Sequence, residues 1–244
     1  MIPNSTQIYN RFAPYYRHYS EQKSRYLATV DKLILKHGRN FGNVLDVGCG
    51  DGVRGAQLAQ KMTPKEFVMT DNSTNMISLA KRFESLVIKI REIDINDGNF
   101  VEAHKKHFDT VLCLWNVFGH ITESDQRLTA LLNIQSLMKE NGAFCIDISN
   151  RYNISHYGFQ SVLKNMWQDF IHPNKNNGNF SYEIDVGTEK IPSYCHFFNP
   201  KEFPSLCDKA GLKIEKTFYV NYKTGEITNL FGGHIFYFVK KTPK

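Results

Sequence analysis

Residues 44–52, Val44-Leu45-Asp46-Val47-Gly48-Cys49-Gly50-Asp51-Gly52, form an apolar strand pattern that runs straight into a turn. Three of the last five residues of this stretch are glycine. Glycine adopts positive φ without steric cost and lets a ligand approach the backbone closely. A dinucleotide turn of the form GxGxxG needs its third glycine for tight helix–strand packing. Here Gly48 and Gly50 fill the first two places, Val53 stands at the third, and Gly52 comes one residue early. The phosphate loop GxxxxGK[ST] does not occur, and the turn offers no lysine for a triphosphate.

Two acids lie further along. Asp71 closes the strand-like "EFVMTD" (66–71), roughly 20 residues beyond the loop, where a carboxylate can accept hydrogen bonds from both ribose hydroxyls. Asp94 closes a third strand in "REIDIND" (91–97). Open α/β sheets bind ligands outside the carboxyl ends of their strands. Asp46, Asp71 and Asp94 therefore converge on one negatively rimmed crevice, which suits a cationic nucleoside better than a pyrophosphate.

The surrounding pattern sets the fold class. "EQKSRYLATVDKLILKH" (21–37) places Tyr26, Leu27, Val30, Leu33 and Ile34 on one helical face. "GVRGAQLAQK" (52–61) and "STNMISLAKRF" (73–83) read as helices, the latter with Met76, Leu79, Ala80 and Phe83 inward. "FDTVLCLW" (108–115) is an uninterrupted apolar strand, as expected for one covered on both faces. "SDQRLTALLNIQSLMKENG" (124–142) repeats Leu128, Leu131, Leu132, Gln135 and Met138 at helical spacing and closes at Asn141-Gly142. "AFCIDIS" (143–149) is a fifth strand. This alternation predicts an α/β, doubly wound, Rossmann-like and mostly parallel sheet of seven strands. "LKIEKTFYVNY" and "HIFYFVKK" supply an antiparallel C-terminal hairpin. The rhythm changes after Ser149: residues 150–195 form an aromatic, polar insertion with two short strands, and residues 196–244 a helix and the closing strands. One domain is expected, with residues 1–40 helical and 41–149 as its core.

The 244 residues are 41% hydrophobic and 22% charged, with no apolar run near the ~20 residues of a membrane span. The N-terminus lacks a hydrophobic signal core, so a cytoplasmic protein with no membrane partner is expected. Five cysteines, without a CxxC pair, fit reduced thiols better than disulfides or zinc. Thirty basic against 24 acidic residues give a scattered +6, which permits a nucleic-acid partner without indicating one. The densest cluster, "HKKH" (104–107), lacks a third metal ligand and reads as a solvated loop.

"VLDVGCGDG", "FVMTDNSTNMI", "IDIND" and "FDTVLCLWNVFGHI", in this order and spacing, resemble class I S-adenosylmethionine-dependent methyltransferases over roughly residues 40–150. The resemblance implies that S-adenosylmethionine is the cofactor and S-adenosylhomocysteine the product. It also implies that the Gly48-Cys49-Gly50 backbone lies against the methionine moiety and ribose, and that Asp71 holds the ribose hydroxyls. Asn72 and Met76 would lie beside the adenine, with Asp94 or the Ile95 amide at its edge. Leu114, Trp115 and Asn116 would close over the sulfonium, and Asp46 would orient the loop or the cofactor's amino group. Aromatic N-terminal segments fold over the cofactor in similar proteins, which makes Tyr9 and Tyr16 lid candidates. The alternative for these tyrosines is plain aromatic packing.

The acceptor should lie beyond the fourth strand, at "WNVFGHI" (115–121). His120 is the candidate proton acceptor or else a structural cap, and Phe118 a substrate contact or core. His196 is either a substrate contact or a satisfied structural histidine. "CIDISNRYN" (145–153) resembles glycine and sarcosine N-methyltransferases, which implies that Asn150, Arg151 and Tyr152 line the acceptor pocket, Arg151 pairing with a substrate carboxylate. "LWNVFG" stands where base-modifying enzymes carry an NPPY-type motif, against a flipped DNA base. The expected function is methyl transfer to a small molecule, with nitrogen favoured because no strong base or metal site is visible. The alternatives are a tRNA or protein methyltransferase and a non-catalytic S-adenosylmethionine-binding protein. A monomer or a homodimer is expected.

Overall fold

In the computed structural model, which describes residues 4–38, 40–121 and 123–242, the opening strand becomes β1 (Asn43–Val47) at the centre of a sheet. Arg39, Thr122 and the chain ends at 1–3 and 243–244, which belong to the expected N-terminal, core and C-terminal segments, lie outside the described residues. β1 pairs in parallel with β2 (Glu66–Asp71) on one side and β4 (Phe108–Cys113) on the other, Val47 standing opposite both Thr70 and Cys113. β3 (Ile88–Glu92) continues in parallel beyond β2, and β5 (Met138–Ile148) beyond β4. β10 (His234–Lys241) and β8 (Leu212–Val220) then add antiparallel strands.

Seven strands were expected and the sheet has eight, in the order β3-β2-β1-β4-β5-β10-β8-β9. The extra strand, β9 (Ile227–Thr228), is two residues long and pairs with Tyr219 and Val220 after a tight turn. Its brevity leaves no period in the sequence. The strands of the insertion, β6 (Asn179–Asp185) and β7 (Lys190–His196), form a separate antiparallel hairpin.

Successive residues of a strand point to opposite faces, so each parallel strand feeds two cores. Leu45, Val68, Val111, Phe144 and Ile146 meet α6 (Ser124–Leu137) and α9 (Glu202–Lys209) on one face. Val44, Phe67, Met69, Leu112 and Cys145 meet α2 (Ser24–His37) and α3 (Val53–Met62) on the other. Between β2 and β3, α4 (Thr74–Ala80) starts from a Ser73 cap whose hydroxyl accepts from the Met76 amide, with Leu79 facing outward, and α5 (Gly98–Ala103) joins β3 to β4.

α6 stops at Leu137 rather than at Asn141-Gly142. Met138 is fully buried and pairs with Phe108 as the first residue of β5, so tertiary pairing overrides the helical pattern. The buried face of α6 is Ala130, Leu131, Ile134 and Leu137, and Leu132 is exposed. The "HKKH" segment is more tied down than a solvated loop: His107 bonds Glu66 of β2 at 2.6 Å and His104 stacks on Phe100 at 4.3 Å. Among the described residues no group of side chains could hold a metal ion, and all five cysteines are free and buried. No helix among them is long and apolar enough to cross a membrane.

α1 (Ser5–Glu21) opens with a capping box between Asn4 and Gln7. Ile8 and Phe12 form a small third core with Ile191 of β7, so α1 and the insertion hairpin make one cover over the carboxyl ends of the strands. Replacing Leu45, fully buried on β1, by alanine should cost about 3 kcal/mol, within the range for leucine truncation in a close-packed core. Leu86→Ala, at 95% exposure, should change stability by less than about 0.5 kcal/mol. Urea denaturation of the two variants checks both, and equal effects would refute this placement of the core.

Candidate active site

The glycine loop leaves β1 with Gly48 at φ +72°, Gly50 at +57° and Gly52 at +75°, all left-handed. A Cβ at Gly48 would meet the Val117 side chain at 2.4 Å, and one at Gly50 the Tyr16 hydroxyl at 2.7 Å. The turn is pinned to the end of β2. The Gly48 and Cys49 amides donate to the Thr70 carbonyl at 2.8 and 2.9 Å, and the Gly50 amide donates to the Asp71 carboxylate at 2.9 Å. The other Asp71 oxygen accepts from the Ser73 amide, also at 2.9 Å. Burial pushes the Asp71 carboxyl up to about 6, against the downward pull of these backbone bonds.

A cavity of ≈ 260 Å³ opens above the loop. Gly48, Gly50, Asp71 and Asn72 form its floor, and Asp94, Ile95 and Leu114 one side. Asn4, Ser5, Tyr9 and Tyr16 of the α1 segment roof it. The Asn72 amide joins the Asp94 carboxylate, at 3.0 Å, to the Ser5 hydroxyl, at 3.2 Å.

Gly48, Tyr16, Leu114 and Trp115 also border a ≈ 440 Å³ cavity of different chemistry, lined by Asp46, Asp51, Arg17 and Arg54. Arg17 reaches down from α1 to pair with Asp51, and Arg54 pairs with Asp31 at 2.8 Å. Burial pushes Asp46 up to about 7, opposed by the Arg54 guanidinium. This cavity thus sets acidic beside basic side chains.

A third cavity of ≈ 560 Å³ adjoins the first across Tyr9, Trp115 and His120, which line both. The seam is a 2.9 Å hydrogen bond between the Tyr9 hydroxyl and His120 Nε2. Burial pushes His120 down to about 4, with the Tyr194 backbone pulling weakly the other way, so the ring is neutral at physiological pH. Below the seam, Trp115 and Asn116 are both left-handed, at φ +63° and +58°. Such conformations cost roughly 1–3 kcal/mol each and persist where the surroundings impose them. Here Asp147 imposes them: its carboxylate accepts the Trp115 amide and, at 2.6 Å, the Tyr26 hydroxyl. The Asn116 side chain accepts the Ser149 amide at 2.7 Å.

The structure thus brings Tyr9, Tyr16, Gly48, Gly50, Asp71 and Asn72 together with Asp94, Ile95, Leu114, Trp115 and His120 around the first cavity. Other expected residues lie elsewhere. Asp46 and Cys49 border the lower cavity, and Asn116 the third. Met76, expected beside the adenine, is fully buried within α4 and lines none of these three cavities. Phe118, expected to touch the acceptor, borders the first cavity and packs against Phe198 and Phe203 at 5.8 and 5.7 Å.

The residues expected to hold the acceptor are largely structural. The Asn150 amide donates to the Leu230 and Gly233 carbonyls at 2.6 and 2.9 Å, locking two loops. The Tyr152 hydroxyl donates to Asp169 at 3.0 Å, away from the cavity walls. Arg151 borders the third cavity, yet its guanidinium is spent on Asp169 at 3.2 Å, Gln168 at 2.8 Å and the Asn177 carbonyl. His196 is fully buried between Asn179 at 2.7 Å and Glu202 at 2.8 Å, a satisfied structural histidine. Sequence reasoning missed Arg17, Arg54, Tyr26 and Asp147. The "YYRHYS" spacing of Arg17 beside Tyr16 was the available signal for the first, and an acid inside the apolar strand "FCIDI" for the last.

Residues 45–144 match the family Methyltransf_12, described as a methyltransferase domain. That domain match, the sheet order and the glycine loop together support a class I S-adenosylmethionine-dependent methyltransferase. It is 26% identical over 162 residues to a glycine/sarcosine N-methyltransferase of Parasynechococcus marenigrum, across 66% of this chain and 52% of that protein. It is 29% identical over 157 residues to human glycine N-methyltransferase, across 59% and 52% respectively. The chain therefore spans about half the length of these curated relatives. The structure of an S-adenosylmethionine-dependent methyltransferase from Clostridium acetobutylicum superimposes with a TM-score of 0.65 at 19% identity, covering 96% of this chain and 99% of that one. S-adenosylmethionine is the cofactor for which this class of domain is built.

Asp46 gives a test of the site's electrostatics. Its folded pKa, near 7, lies above the ordinary carboxylate value, so the folded state holds an extra proton between about pH 4 and 7. Stability from this group is greatest below pH 4 and is lost as pH rises through 7. Asp46→Asn should stabilise the ligand-free protein by about 1–3 kcal/mol at pH 8, with no gain near pH 4. Denaturant melts at the two pH values decide it, and a loss of stability at pH 8 would contradict the assignment.

Proposed function

We propose that the protein transfers a methyl group from S-adenosylmethionine to a nitrogen atom of a small-molecule acceptor. The observation that carries this reading is the meeting of two cavities, one on the glycine loop and one walled by the insertion, at the Tyr9–His120 pair. A small acceptor suits a cavity of ≈ 560 Å³ lined by Tyr157, Phe180, Tyr182 and Phe197 of the insertion. The relatives named for glycine and sarcosine methylation support nitrogen as the attacked atom.

The pieces fit the cofactor. The Cβ-free backbone at Gly48 and Gly50 admits close approach. Asp71 and the Asn72–Asp94 pair face the first cavity, where they would meet ribose hydroxyls and the adenine edge. Asp46, Arg17 and Arg54 would hold the amino-acid end in the lower cavity. Tyr9 and Tyr16 cover the site from α1 and exclude water. When bound, S-adenosylmethionine supplies a sulfonium methyl to a nucleophile's lone pair, the electrons of the broken S–C bond remaining on sulfur.

Catalysis by the chain is mainly positioning, which can supply much of the rate of a displacement. His120, neutral above about pH 4, shares a hydrogen bond with Tyr9 at Nε2, and in its Nδ1–H tautomer that nitrogen can accept from and orient an incoming N–H once Tyr9 yields. A base this weak does not retain a proton at neutral pH, so the proton of an amine passes on to water.

Asp71→Ala should weaken S-adenosylmethionine binding by about 10²-fold with the fold intact, since it removes a charged acceptor buried at the site. Unchanged calorimetric affinity would sink the ribose assignment. For His120→Ala, turnover should fall by about 10²-fold. His120→Asn, which keeps a hydrogen-bond acceptor, should recover part of it if the ring orients the acceptor. Full activity in His120→Ala would show that the imidazole has no part in the reaction.

A further inference from the structure

We propose that the ≈ 560 Å³ chamber takes an amine carried on a flat aromatic or heteroaromatic ring and bearing no carboxylate, rather than an amino acid such as glycine. This rests on the methyl-transfer reading above and names the acceptor class for it.

The walls are rings. Tyr26 meets Tyr222 edge-on at 5.1 Å, and Tyr222 meets His234 at 4.8 Å. Tyr19 stacks on Trp115 at 5.9 Å, and Tyr157 lies 5.3 Å from Phe197. The Trp115 indole N–H donates to the Tyr222 hydroxyl at 3.1 Å, which fixes both rings as parts of one wall. Rings held in this way present faces and edges against which a flat ligand stacks, and electron-rich faces attract a cation or a polarised N–H.

The charges point the same way. Asp147 is the carboxylate in the wall, held by Tyr26 and the Trp115 amide. The one guanidinium in the wall belongs to Arg151, and it is committed to Asp169, Gln168 and the Asn177 carbonyl. Asp169 and Arg151 are both nearly buried, so this pair cannot open to a substrate without stranding a desolvated charge. Lys23 sits 4.9 Å from the Tyr222 ring, outside the residues that line the chamber. A substrate carboxylate placed here would face Asp147 and the ring faces with no uncommitted cation among the lining residues, the Lys23 ammonium lying behind the Tyr19 and Tyr222 rings. An aromatic amine meets stacking surfaces and no such penalty. It reacts as the free base: the nitrogen lone pair forms the new N–C bond, the S–CH3 electron pair stays on sulfur, and the surplus N–H proton leaves to water.

The test uses matched probes that differ only in the carboxylate, tryptamine against tryptophan and phenethylamine against phenylalanine, with glycine as a third arm. Binding to the S-adenosylmethionine-loaded protein and release of S-adenosylhomocysteine are both measured. The amine of each pair should bind at least about tenfold tighter and turn over faster. Tyr157→Ala should lower amine affinity about tenfold while cofactor affinity, titrated alone, is unchanged, and Tyr182→Ala serves the same purpose should the first variant misfold. Asp169→Asn, which removes the charge partner of the Arg151 guanidinium, should narrow the amine-over-amino-acid ratio several-fold. Equal or tighter binding of an amino acid, or no binding of either aromatic amine, overturns the proposal. Failure to bind S-adenosylmethionine defeats the methyl-transfer reading instead, so the two outcomes are separable.

Discussion

The parallel register of β1 between β2 and β4 is the constraint from which the site follows. Val47 is aligned with Thr70 and with Cys113, so the three chains leave the sheet side by side. The glycine turn, Asp71-Asn72 and Leu114-Trp115 must then occupy one edge. Without the left-handed glycines the first chain could not turn beneath a ligand, and without Asp71 accepting the Gly50 amide the turn would not be fixed to its neighbour. Everything above that edge, including the α1 cover and the insertion hairpin, is arranged around the space these three loops define.

That edge holds buried acid at a cost. Asp46, Asp71 and Asp147 all have their carboxyl pKa values raised, first by burial. Each is partly compensated: Asp46 by the Arg54 guanidinium, Asp71 by backbone amides, and Asp147 by the same guanidinium first, then by the Tyr26 hydroxyl and the Trp115 amide. Incomplete compensation is expected where groups wait for a ligand, since stability is given up for recognition at binding sites. The left-handed Trp115-Asn116 pair is the backbone counterpart of this strain, and it sits where the two principal cavities join.

The half of the candidate site around the glycine loop was legible in the sequence because its determinants are local. Strand–helix alternation, a glycine turn, and acids at consecutive strand ends are each written in a few adjacent residues, as Asp71 and Asp94 illustrate. The acceptor half was not, because its chemistry depends on partners far along the chain. Arg151 looks like an available cation until Gln168, Asp169 and Asn177 return from the insertion to occupy it. His196 is likewise satisfied by Asn179 from the paired strand and Glu202 from the next helix. Tertiary pairing explains the misplaced end of α6, where Met138 reads as a helix residue and joins β5 against Phe108. β9, at two residues, is too short to carry a pattern.

A crystal structure of the protein with S-adenosylhomocysteine is the most direct test of the proposal that the Tyr9–His120 seam divides donor from acceptor. The adenosine should lie over Gly48 and Gly50 beside Asp71, with the amino-acid end in the Asp46–Arg54 cavity and the sulfur facing the seam toward the aromatic chamber. A ligand seated with its sulfur turned away from Tyr9 and His120, or bound in a different cavity, would contradict it.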